Sequence, residues 1–97
     1  MPFHAQDRFI VREDLLEERV DDELVVLDLS ADAYFGTNAV GRAVWECLPE
    51  RCFDEIVEHL LGLYEVERSV LVRDVEAFLE EAVRSGVVTV EPSDGGS

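Results

Sequence analysis

The sequence predicts one α+β domain, a three-strand antiparallel meander followed by three helices, and three observations lead there. Residues 24–29, LVVLDL, alternate with a period of two. Val25, Leu27 and Leu29 form one wholly apolar row against Leu24, Val26 and Asp28, so the row free of charge is expected to face the core. Ser30, Ala31 and Asp32 then supply a turn, and Ala33 to Thr37 returns as a short strand carrying Tyr34 and Phe35. From Asn38, a good helix N-cap, the apolar spacing changes to three and four residues.

The first strand of the meander is expected over residues 15–20, LLEERV, with Asp21 and Asp22 as the turn into the next strand. The 24–29 strand then lies in the centre and Ala33 to Thr37 at one edge. The first helix runs from Asn38, with Val40, Val44, Trp45, Cys47 and Leu48 on its apolar side and Pro49 as its stop. Gly41 lies in its interior, where glycine costs about 1 kcal/mol relative to alanine, a hint of close backbone packing. A second helix is expected over residues 53–64, with Cys52 where Ser or Thr would cap best.

The third and longest helix begins between Glu67 and Ser69 and runs to Ser85, with Gly86 as its C-terminal stop. Leu71, Val75, Phe78 and Ala82 make a core stripe, and Val72, Glu76, Leu79 and Val83 make a second stripe about 100° round the axis. Residues 87–90 read as a short terminal strand. Phe9, Ile10 and Val11 add extended structure at the sheet margin. The expected boundaries are a loosely held segment 1–14, the domain 15–90 and a flexible tail 91–97.

With 97 residues, of which 47% are hydrophobic, the chain is large enough for one modest core and too apolar for a disordered acidic segment. The formal net charge is -15, and all 8 basic residues are arginine. Such a chain lacks the cationic face that displaces phosphate counterions, so no nucleic-acid partner is expected, and a cationic partner fits better. Neither a membrane-spanning run of about 18 apolar residues nor a signal peptide is present, so a cytoplasmic location without membrane attachment is expected. Cys47 and Cys52 are then free thiols.

Catalytic patterns are missing. His4 and His59 are the only histidines, and neither is joined by pattern to a nucleophile and an orienting carboxylate. Cys47 and Cys52 are five positions apart, which is not a metal-ligand spacing. The carboxylate pairs Glu17-Glu18, Asp21-Asp22 and Glu80-Glu81 are sequence neighbours whose side chains point different ways. No glycine-rich loop is placed to hold a phosphate. The chain is expected to bind rather than react, with no cofactor and no metal.

The segment ELVVLDLSADAYFGTNAVGRAVWECL, then FDEIVEHLLGLYEVE and RDVEAFLEEAVRSGVV, resembles the PqqD-like family, the precursor-peptide recognition elements of ribosomally made, modified peptide pathways. A small free-standing member of this kind is similar to the recognition protein of a lasso-peptide pathway. Thr37 departs from the leucine usual before the asparagine, and Cys52 from the usual threonine cap.

The resemblance implies a winged-helix-like fold and a leader peptide that adds as a strand to the third strand and packs against the third helix. It also implies hand-over to a leader peptidase of the cysteine protease type, with a ring-forming cyclase acting afterward. The residues support the same site. Ala33, Tyr34, Phe35, Gly36 and Thr37 form an uncharged edge strand whose unpaired backbone groups invite a partner. Val72, Val75, Glu76, Leu79 and Val83 are the expected groove wall on helix three. Tyr34 and Phe35 point to opposite faces, and the sequence does not say which meets the guest. The alternative for three helices and a small sheet is a winged-helix DNA-binding regulator. Its recognition helix would carry only Arg73 and Arg84 amid Asp74, Glu76, Glu80 and Glu81.

Overall fold

The computed structural model describes residues 3–21, 23–48 and 50–91. Asp22 of the expected turn, Pro49 as the expected helix stop and residues 92–97 of the expected tail lie outside them. The elements in chain order are β1 (Arg8–Val11), β2 (Leu16–Val20), β3 (Glu23–Asp28), β4 (Ala33–Thr37), α1 (Ala39–Glu46), α2 (Phe53–Leu61), α3 (Arg68–Arg84) and β5 (Val88–Glu91). The fold is α+β. Strands β2, β3 and β4 form an antiparallel three-stranded sheet in that order, followed by the three helices.

Strand β1 pairs antiparallel with β5 as a separate two-stranded sheet, Phe9 opposite Val90, rather than at the margin of the meander. This pairing joins residues about eighty positions apart, and a period read within either segment carries no trace of it. Residues 3–14, expected to be loosely held, place Phe3 and Phe9 in the core, edge to face with ring centroids 5.1 Å apart. The same segment serves α2: the Phe53 and Asp54 amides donate to the carbonyls of Asp7 and Ala5, satisfying two N–H groups that a helix start leaves free.

The row of β3 that faces the core is Leu24, Val26 and Asp28, which corrects the expectation for Val25, Leu27 and Leu29. Leu29 is 67% exposed, whereas Asp28 is only 5% exposed. The physical reason is Arg12. Its guanidinium donates to Asp28 at 2.7 Å, while the Ser30 hydroxyl and the Ala31 amide donate to the same carboxylate. A buried carboxylate with a charged partner and further donors is tolerable; an unpaired one is not. The Arg12 and Ser30 hydrogen bonds hold Asp28 down to about 2, well below the usual aspartate range.

Turns and caps follow from local chemistry. Asp21 and Asp32 adopt φ of 56° and 54° at the two hairpin turns, a left-handed conformation that aspartate accepts more readily than bulkier residues. The Asn38 side chain accepts from the Gly41 amide at 2.9 Å and caps α1. At α2 the deficit of Cys52 as a cap is offset by Glu55, which accepts from the Cys52 amide at 3.0 Å. Helix α3 closes on Gly86 at φ 82°, with the Gly86 amide donating to Val83 and the Val87 amide to Ala82. That bonding is the Schellman closure.

The core lies between the inner face of the sheet and the helices: Leu24, Val26 and Phe35 meet Val44 and Trp45, Ile56 and Leu60, and Leu71, Val75, Leu79 and Ala82.

Candidate peptide-binding groove

The two edges of the three-stranded sheet differ in kind. Strand β2 carries Glu17, Glu18 and Arg19 along its length, charges of the sort that discourage a second chain from pairing. Strand β4, Ala-Tyr-Phe-Gly-Thr, has none, and it is bonded to β3 alone. Its register, Val26 opposite Phe35 and Leu27 opposite Tyr34, sends the two aromatic rings to opposite faces. Phe35 is 7% exposed and points inward, whereas Tyr34 is 77% exposed on the outer face. Phe35 is thus the aromatic residue that meets the groove.

Beside this free edge lies a groove of about 370 Å³. Its sheet side consists of Phe35, Gly36 and Thr37, its end is Asn38, Val40 and Gly41 at the start of α1, and its helical wall is Asp74, Ala77, Phe78 and Glu81 of α3. The rings of Phe35 and Phe78 stand 5.5 Å apart and tilted by 53°, so they join the sheet to the helix. Gly41 makes the approach of α1 possible. A Cβ there would lie 2.8 Å from the Phe78 ring and 2.9 Å from the Thr37 Cβ.

All of the residues expected on β4 lie along the free edge, and Phe35, Gly36 and Thr37 line the groove itself. On α3 the placement differs. Val75 and Leu79 are fully buried in the core, and Val72, Glu76 and Val83 lie partly buried on the flank of the helix away from the groove lining. With about 3.6 residues per turn, Asp74, Ala77, Phe78 and Glu81 form one stripe beside the core stripe, and Val72, Glu76 and Val83 form another on its far side. Both flanks were readable in the sequence. The second is the more apolar, with Val72 and Val83, while the stripe that faces β4 carries two carboxylates. Asp74, Ala77 and Glu81 are exposed, and Glu81 accepts from Arg84 at 2.7 Å.

Among the described residues, the groove lining includes neither histidine nor cysteine. His59 is exposed on α2, and Cys47 and Cys52 are buried free thiols, burial pushing the Cys47 thiol up. Among the described residues no cluster of three or more His, Cys, Asp or Glu side chains is arranged to hold a metal ion. No helix among them is long and apolar enough to cross a membrane.

The family model for coenzyme PQQ synthesis protein D, PqqD, matches residues 23–88, from the start of β3 to the start of β5. The chain belongs to the PqqD family. The match takes in both walls of the groove and leaves out β1 and β2. Two solved structures share the fold of this PqqD-family chain. TbiB1 in complex with the TbiA(beta) leader peptide superimposes with a TM-score of 0.73 at 31% identity, over 81% of this chain and 93% of that one. Lasso peptide synthetase B1 complexed with the leader peptide gives a TM-score of 0.74 at 23% identity, over 84% of this chain and 98% of that one. No curated protein matches the chain. The winged-helix-like, PqqD-like architecture expected from the sequence is the one observed.

Proposed function

We propose that this PqqD-family chain is a non-catalytic adaptor that binds the leader segment of a ribosomally made precursor peptide, of the lasso class, by strand addition to β4. The observation that carries the reading is the uncharged free edge of β4 running beside the groove between Phe35 and Phe78. An added strand finds main-chain partners along residues 33–37, and its inward side chains enter the groove. Support comes from TbiB1, 31% identical, whose solved structure contains a leader peptide.

The adaptor delivers the bound leader to a cysteine-type leader peptidase, after which a cyclase closes the ring. Support for a second protein partner is the outer face of the sheet, where Leu16, Val20, Leu29 and Tyr34 are exposed beside the half-buried Val25 and Leu27. That face, apolar apart from Glu18 opposite Val25 and Glu23 opposite Val20, is continuous with the docking edge through Tyr34 and Gly36, so a protein seated on it would contact the bound leader as well.

Calorimetric titration with the leader segment of a precursor encoded beside this chain's gene tests the proposal. A one-to-one complex is expected with a Kd from micromolar to tens of nanomolar, roughly -8 to -10 kcal/mol. Absence of heat, together with unmoved amide resonances along β4, would reject it. The DNA-binding alternative is not favoured, because α3 presents Asp74 and Glu81 on its open flank and no cationic face.

A further inference from the structure

The groove's helical wall has an order of its own. Asp74, Ala77 with Phe78, and Glu81 follow one another along a single flank of α3, so the apolar centre is bracketed by carboxylates two turns apart. The seven-residue step from Asp74 to Glu81 rises about 10.5 Å along the helix. In a strand added to β4, the residues that point inward alternate, about 7 Å apart for successive ones and about 13 Å for the outer two of three. A strand running alongside α3 would set its middle inward residue against Phe35 and Phe78 and its outer two within reach of the carboxylates for a flexible lysine stem or an arginine fork.

Resting on the proposed strand addition, the geometry points to a guest segment of the form basic-x-apolar-x-basic. Its central apolar side chain sits against Phe35 and Phe78, and its two cations pair with Asp74 and Glu81. Asp74 has no ion-pair partner among the described residues, and Glu81 shares only the exposed Arg84, so both carboxylates are available to a guest. The uncharged β4 leaves the choice of charge to this helix. The pairing is local recognition, distinct from the general attraction exerted by a chain of net charge -15.

The test measures fluorescence anisotropy of the full chain with three labelled peptides of one length, centred on Lys-x-Leu-x-Lys, Gln-x-Leu-x-Gln and Lys-x-Ser-x-Lys. The first is expected to bind at least tenfold more tightly than either of the others. In the double variant Asp74→Asn, Glu81→Gln the advantage of the first over the second falls to less than threefold. In the control Glu13→Gln, Glu65→Gln, of equal net charge and with both sites exposed and outside the groove lining, the advantage is retained. Equal binding of the first two peptides, or an equal loss in both double variants, would overturn the inference and leave strand addition standing. If the cognate leader itself binds without shifting amides 33–37, strand addition fails and the inference falls with it.

Discussion

Gly41 of α1 packs so closely on Phe78 of α3 that a Cβ at position 41 would stand 2.8 Å from the ring, and 2.9 Å from the Cβ of Thr37. One missing methyl group therefore sets the distance between α1, α3 and the end of β4, which together define the groove.

Substituting Gly41→Ala separates propensity from packing. Helix propensity alone favours alanine by about 1 kcal/mol. The phenylalanine ring can swing away, but the Thr37 Cβ is fixed to the backbone of β4, and overpacking costs about 1–3 kcal/mol. Urea denaturation is expected to show a net loss of about 1 kcal/mol, with leader binding weakened at least tenfold in the same protein. A rise in the urea midpoint would show that the contact yields freely.

Tyr34 and Phe35 are adjacent yet belong to different surfaces. Phe35→Ala removes a buried ring and is expected to cost about 3–5 kcal/mol, enough to threaten the fold of a small domain. Tyr34→Ala, at an exposed site, is expected to change stability by less than about 0.5 kcal/mol. It is expected to preserve leader affinity within about threefold and to slow cleavage when the leader peptidase is present. Thermal melts, titrations and a cleavage time course on the same two variants check all four expectations.

Acid should expose the Asp28 ion pair. Asp28 is held at about 2 in the fold, against 3.8 for an unperturbed aspartate, so its stabilising effect is fully present above the higher value and is lost as pH falls through the lower one. Wild type and Asp28→Asn, compared by urea unfolding, are expected to differ by a constant amount from about pH 5 to 7 and to converge between about pH 4 and 2. A gap unchanged at the acid end would mean that Asp28 matters through shape rather than charge.

Binding of a lysine-rich leader is expected to depend on salt mainly through its on-rate. Screening lengths shorten from about 10 Å at 0.1 M to about 3 Å at 1 M salt, which removes long-range steering before it disturbs contacts inside the groove. Stopped-flow association should slow by about tenfold over that range while dissociation changes by less than about threefold. An on-rate indifferent to salt would assign the acidic surface to solubility alone.

The order of the three-stranded sheet and the helices and the span of β4 are legible in the sequence, since the change of period at Asn38 and the extent of β4 depend on local pattern. The facing of β3 was not. Both its rows are nearly apolar, and the deciding contact, Arg12 with Asp28, joins residues 16 positions apart. The same limit applies to α3. The expected core stripe of Leu71, Val75, Phe78 and Ala82 holds at Leu71, Val75 and Ala82, but Leu79 completes it and Phe78 turns to the groove, because which flank meets β4 depends on how the helix is seated. Gly41 was the one local signal, and the ring it accommodates, Phe78, marks the flank that lines the groove. The pairing of β1 with β5 left no local mark at all.

Amide hydrogen exchange along β4 tests strand addition most directly. In the free protein, the amides of residues 33–37 that point away from β3 have no partner within the sheet and should exchange quickly. With the leader segment bound, strand addition predicts strong protection of those amides and little change along β2, the charged edge. Unchanged exchange at residues 33–37 in a saturated complex, or protection appearing along β2 instead, would contradict the account.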